Sequence, residues 1–227
     1  MMDFTRYAVY YTPEPGALAD FGARWLGWDA VSGKRCDHPD VADLPIEEIT
    51  RAPRKYGFHA TIRPPFTLSP GSDRETLASD LESLCRELAP VTLAGLGLAR
   101  LGGFLALTPV GDTSALSDLA AAILRGLDHH RAQPSEAELS RRRGKGLRPS
   151  QEGNLIRWGY PYVLEDFRFH LTLTGRLPRA QADLVMAALR SQLSPLLPAP
   201  LIIHELCLFG EAPDGKFRLI SRHKLCG

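Results

Sequence analysis

A chain of 227 residues with 44% hydrophobic content is long enough to bury a large core. Its formal net charge of +1 and pI near 7.8 give no chain-wide field favouring a long nucleic-acid or membrane surface, so any anion site must be local. No apolar run reaches membrane-spanning length, the N-terminus has no basic region leading an apolar stretch, and Cys36, Cys85, Cys207 and Cys226 form no C-x-x-C pair, which together predict a cytoplasmic protein with reduced thiols.

In chain order, "RYAVYYT" (6–12) is aromatic and β-branched and stops at Pro13, so it predicts a strand, and "ALADFGARWLG" (17–27) has helical spacing. "YGFHATIRP" (56–64) predicts a strand ended by Pro64 and Pro65. "SDRETLASDLESLCREL" (72–88) opens with Ser72 and Glu75 at capping-box spacing and predicts a helix. "VTLAGLGLAR" and "FLALTPV" flank Leu101-Gly102-Gly103 as a hairpin, and "SALSDLAAAILRGLDHH" (114–130) restores the helical period.

Residues 131–165 read as irregular, carrying a cluster of basic residues followed by Trp158, Tyr160 and Tyr162. "FRFHLTLTG" (167–175) is again a strand, and "PRAQADLVMAALRSQL" (178–193) a helix with Pro178 early in it. "APLIIHELCLFG" and "KFRLISRHKL" form a closing strand pair around Pro213-Asp214-Gly215. The expected fold class is α+β: two similar lobes, each an antiparallel sheet with helices on its outer face, related by a pseudo-twofold around a central cleft. The expected organisation is one two-lobed domain over 1–227, with lobe 1 about 5–130, an insert about 131–165 and lobe 2 about 166–227.

The pattern Phe-His-x-Thr occurs twice, at 58–61 and 169–172, although this composition predicts on the order of 0.01 chance copies. Alternation puts His59, Thr61 and Arg63 on one strand face, and Arg168, His170, Thr172 and Thr174 on the equivalent face of the other. Either face alone is what a solvated strand looks like. As a pair, packed about a twofold, they bring two imidazoles to one ligand. An imidazole near pKa 6.5 is neutral or protonated at ordinary pH, so one can accept a proton from water while the other donates one to a departing alkoxide. The threonine hydroxyls then face the non-bridging phosphate oxygens.

These paired H-x-T strands resemble the signature of the two-histidine phosphoesterase superfamily, which includes cyclic phosphodiesterases and RNA 2′,3′-cyclic phosphodiesterases. The resemblance implies catalytic roles for His59, His170, Thr61 and Thr172. "RYAVYYTP", "RKYGFHATIRPPF", "NLIRWGYPYV" and "FRFHLTLTGRL" together resemble, more closely, the branch of phosphonate-metabolism proteins found beside carbon–phosphorus lyase genes. That resemblance implies a small sugar phosphate as substrate, such as 5-phosphoribosyl 1,2-cyclic phosphate.

Arg63, Tyr160, Arg143 and Lys145 are the expected substrate-binding residues, the last three from a basic-aromatic stretch read either as a solvated helix end or as a lid that grips a second phosphate. Basic and aromatic residues could equally serve RNA, but the near-zero net charge and the lack of an RNA-binding module rank a small phosphorylated substrate above nucleic acid. No membrane contact, no cofactor and no catalytic metal are expected, since neither H-x-H-x-D-H nor H-E-x-x-H occurs. His129-His130 reads as a helix end in preference to a metal site. The sequence thus favours a metal-independent cyclic phosphodiesterase over an RNA-processing phosphoesterase or a non-catalytic phosphate binder.

Overall fold

The computed structural model describes residues 3–41, 44–144 and 146–227, so Lys145 lies outside the described residues. The chain begins with β1 (Arg6–Tyr11) and α1 (Ala17–Leu26). It passes through short β2 (Trp28–Asp29), β3 (Lys34–Arg35), α2 (Ile46–Ile49) and α3 (Arg51–Arg54), then enters β4 (Ala60–Phe66). Next come α4 (Arg74–Glu87), β5 (Val91–Leu93), β6 (Gly95–Leu101), β7 (Phe104–Val110) and α5 (Ser114–Gly126). After these come α6 (Glu136–Arg143), α7 (Pro149–Trp158), β8 (Leu171–Thr172), α8 (Arg179–Leu193), β9 (Leu201–Ile203), β10 (Glu205–Glu211) and β11 (Phe217–Lys224).

One antiparallel sheet runs β11-β10-β1-β4-β8-β7-β6, with Ala60 of β4 opposite Leu171 of β8 near its middle. A separate ladder pairs β5 with β9. The internal repeat is visible in the register: Tyr11 faces Ala60 as Leu107 faces Leu171, and Tyr10 faces Thr61 as Ala106 faces Thr172. The major elements β1-α1-β4-α4-β5-β6 therefore recur as β7-α5-β8-α8-β9-β10, with β11 added.

This corrects the expected lobes. The repeats meet at the Gly102-Gly103 turn instead of near residue 130, and each gives its last strand to the other, β10 pairing with β1 and β6 with β7. One lobe is β11-β10-β1-β4 and the other β8-β7-β6, so neither is the contiguous 5–130 or 166–227. A hairpin signal reports that two strands are neighbours; it carries no information about which strand lies on the far side of each.

Apolar side chains at helical spacing cover one sheet face: Leu77, Leu81 and Cys85 of α4, Leu116, Leu119 and Ile123 of α5, and Ala182, Val185 and Leu189 of α8. Tyr7, Val9 and Tyr11 of β1 join that core, while Ala8 and Tyr10 pack on the other face with Phe209 and Phe217. The N-cap of α4 is Asp73, one residue past the expected Ser72. Its carboxylate accepts the Thr76 N–H at 2.7 Å, and Ser72 is engaged instead with His130. Residues 131–165, expected to be irregular beyond a solvated helix end, hold two helices. α6 buries no residue and is tied by ion pairs, Arg142 to Glu138 and Arg143 to Glu152, so it leaves no apolar stripe in the sequence. Among the described residues no helix is long and apolar enough to cross a membrane.

Candidate active site

Gly57 fixes the first imidazole. Its φ of +75° is open to glycine, and a Cβ there would lie 2.4 Å from that of Ala30. The turn aims the Gly57 carbonyl back at His59 Nδ1, 3.0 Å away. A carbonyl can only accept, so Nδ1 carries the proton and Nε2 is unprotonated, accepting from the Thr61 hydroxyl at 3.2 Å. Upstream, Gly22 of α1 lets the Phe58 ring approach; a Cβ there would meet it at 2.0 Å, and this contact seats the strand.

The second imidazole is set the same way. His170 Nδ1–H donates to the carbonyl of Arg168, two residues earlier, at 2.7 Å, which again frees Nε2. His59, Thr61, His170 and Thr172 all line one cleft of about 910 Å³, ample for a sugar phosphate. Burial pushes His59 down to about 4, partly opposed by the Gly57 carbonyl and reinforced by any charge on His170. Burial also lowers His170, against the pull of the Arg168 carbonyl. With no anion bound, both rings are neutral at pH 7 and present lone pairs.

The cleft wall is cationic: Arg6, Lys55, Arg141, Arg142, Arg148 and Arg168 contribute to it. Arg6 is held by Glu211 at 2.6 Å, Arg142 by Glu138, and Arg148 by Asp166. Tyr160 lines the cleft under the Arg142 guanidinium, 4.9 Å from its ring centre, and burial raises its phenol, keeping it a neutral donor.

Two expected ligand contacts are corrected. Arg143 pairs with Glu152 at 2.7 Å and does not line the cleft, because it occupies a different face of α6 from Arg141 and Arg142. Arg63 is 1% exposed and turned away: its guanidinium reaches the Leu124 carbonyl, lies 3.5 Å from Asp128 and sits 4.4 Å over the Phe66 ring. A register shift between Tyr10/Thr61 and Val9/Arg63 breaks the alternation that would have put it beside Thr61. Thr174 also leaves the cleft face; its hydroxyl accepts the Leu105 N–H at 3.0 Å.

Sequence reasoning missed Tyr10, whose ring stacks on His59 at 3.9 Å, and Arg6, two alternations earlier on β1. The signal was available, since alternation in "RYAVYY" puts Arg6, Ala8 and Tyr10 on one face.

A family model described as "Protein of unknown function (DUF1045)" matches residues 61–218. Two curated proteins, both called "Ribose 1,5-bisphosphate phosphokinase PhnN", are similar to this chain. The one from Janthinobacterium sp. (strain Marseille) is 36% identical over 185 residues, 80% of this chain and 41% of that protein. The one from Laribacter hongkongensis (strain HLHK9) is 36% identical over 217 residues, 94% of this chain and 50% of that protein. The chain thus spans half or less of the length of these relatives. Among solved structures, TT0787 of Thermus thermophilus superposes with a TM-score of 0.50 at 13% identity over 98% of each chain, a likeness of fold alone. E. coli LigT complexed with 3′-AMP gives 0.47 at 14% identity over 99% of this chain and 100% of that one.

Proposed function

The chain belongs to the family described as DUF1045, and we propose that it is a metal-independent phosphoesterase that opens a cyclic phosphodiester of a small sugar phosphate in phosphonate catabolism. The observation that carries this reading is the matched pair of imidazoles in one cleft, each with Nδ1–H tied to the carbonyl two residues back and Nε2 left for chemistry.

Water attacks phosphorus in line with the ring oxygen that leaves. One Nε2 takes the water proton as the new P–O bond forms, and the other, protonated when the anionic substrate binds, gives its proton to the departing oxygen as the old P–O bond breaks. The hydroxyls of Thr61 and Thr172 donate to the non-bridging oxygens, and the cationic wall holds charge elsewhere on the ligand. The products are a phosphomonoester and a free hydroxyl.

The names of the relatives support a particular sugar. Opening 5-phosphoribosyl 1,2-cyclic phosphate at the 2-oxygen yields ribose 1,5-bisphosphate, the compound that appears in the name of both relatives. This chain corresponds to half or less of each, and its sequence has no G-x-x-x-x-G-K-[ST] phosphate loop, so the kinase step is assigned to the remainder of those proteins and the ring opening to this part. Phosphorus NMR of chelator-treated protein with 5-phosphoribosyl 1,2-cyclic phosphate and with nucleoside 2′,3′-cyclic phosphates tests the reading. Conversion of the ribosyl ester to ribose 1,5-bisphosphate is expected. Faster opening of the nucleotides would favour RNA end processing, and binding without turnover would leave a phosphate-ligand binder.

A further inference from the structure

Away from the cleft, where α5 ends and the 131–165 segment begins, three side chains converge that the chemistry above does not use. Asp80 of α4 places Oδ2 3.0 Å from His129 Nε2 and 3.0 Å from His130 Nε2, with all three atoms within 4.8 Å of one another. The two imidazole rings lie 4.0 Å apart. We propose that Asp80, His129 and His130 form a binding site for a zinc-like divalent cation that ties α4 to the root of the basic-aromatic segment.

The donor set is two imidazole nitrogens and one carboxylate oxygen, which suits Zn²⁺, Co²⁺ or Ni²⁺ and not Mg²⁺ or Ca²⁺. Around a tetrahedral ion with bonds near 2.0–2.1 Å, ligand atoms stand about 3.3 Å apart, so the two 3.0 Å separations need open by only a few tenths of an ångström. The outer contacts are also built. His130 is buried, and its Nδ1 meets the Ser72 hydroxyl at 3.1 Å. That hydroxyl is 3.1 Å from the Ser69 hydroxyl, whose own proton goes to the His129 carbonyl. A hydrogen-bond partner on the far nitrogen fixes the ring and favours the tautomer that leaves Nε2 for a metal.

Arg63 and Arg131 face Asp128 and not Asp80. Ser69 N–H donates to the His130 carbonyl and Ala132 N–H to that of Thr67, so an ion here would hold the turn after α5 from which the 131–165 segment departs.

Titration of Zn²⁺ into tag-free, chelator-treated full-length chain, followed by calorimetry and thermal melting, tests the site. One ion per chain is expected at roughly micromolar Kd or tighter, with a raised melting temperature. Asp80→Asn and His129→Gln, both at side chains that reach solvent, should each weaken binding at least tenfold. Affinity no better than about millimolar, or unchanged in both variants, overturns the proposal and leaves a hydrogen-bonded cluster. Should a variant fail to fold, amide NMR of the wild-type chain with substoichiometric Co²⁺ decides the matter. Broadening centred on residues 72, 80, 129 and 130 supports the site, and broadening elsewhere rejects it.

Discussion

His59 and His170 each stand one residue before equivalent strands, use the same ring nitrogen to bind the backbone and look into the same cleft, yet their surroundings differ. His59 lies against Tyr10, which is 1% exposed, and 6.0 Å from Tyr56. At the place equivalent to Tyr10 the second repeat has Ala106, and the ring near His170 is Phe104 at 5.6 Å. The carbonyl that holds His59 belongs to a glycine turned against Ala30; the one that holds His170 belongs to exposed Arg168. The two repeats share the tautomer and the direction of each imidazole while its dielectric surroundings differ. In the proposed reaction the two rings hold opposite protonation states, and that divergence favours such a split.

The sharpest way to break the comparison is to remove one ring at a time. His59→Ala and His170→Ala should each lower kcat by about 10²–10⁴-fold, and the double variant should lose far less than the product of the two, because the rings act as a unit. KM should change little. Near-normal turnover in either variant would mean that only one repeat is catalytic. Chelator should leave the wild-type rate unchanged even where it lowers the melting temperature, since the proposed ion site lies outside the cleft.

Arg142→Ala probes the part of the cleft wall supplied by α6. Its guanidinium stacks on Tyr160 and is paired with Glu138, so it is oriented before substrate arrives. Its loss should raise KM by roughly tenfold for an ester carrying a second phosphate and much less for one without, with kcat nearly kept. Steady-state kinetics on the two esters gives the answer; an equal effect on both would remove the second-phosphate role.

The two H-x-T strands were legible because period-two alternation and a repeated tetrapeptide are local signals. Arg63 was misread because the bulge that turns it away is a property of pairing with β1, invisible in "HATIRPP" itself. The helices of 131–165 were missed because α6 stands on ion pairs and a Ser135 cap instead of an apolar stripe. The exchange of β6 and β10 was hidden for a further reason: strand partners distant in sequence leave no trace in either strand. Tyr10 was readable as a strand residue, but its place over His59 depends on which strand lies beside β4.

Proton affinity sharpens the comparison between the rings. His59 is depressed to about 4 in the folded chain against about 6.5 unfolded, so the unfolded chain binds the extra proton between those values. Its contribution to stability is therefore intact above pH 6.5 and is lost as pH falls toward 4. Tyr10→Ala should let water reach the ring and raise the His59 titration toward 6.5, by about a unit or more, while Phe104→Ala moves His170 less. Imidazole proton shifts followed by NMR against pH measure both. A His59 that still titrates near 4 without Tyr10 would trace the depression to burial by groups other than Tyr10.

The smallest expected effect lies in the helices that follow the two H-x-T strands. α4 starts at Asp73, whose carboxylate accepts the Thr76 N–H while the Thr76 hydroxyl lies 3.2 Å from the Asp73 N–H; α8 starts at Pro178 with no side-chain cap. Asp73→Ala should therefore lower the melting temperature by roughly 2–4 °C, the usual consequence of losing a cap in a domain of this size. Pro178→Ala removes no acceptor and should shift it less. The cap depends on an ionised carboxylate, held below its usual range by the Thr76 N–H, so its contribution is present at neutral pH and fades as acid protonates Asp73. The difference between the wild-type and Asp73→Ala melting temperatures should narrow on acidification. A gap that stayed constant with pH would mean that α4 is held by its packing under β10 and β11, with its first turn contributing nothing.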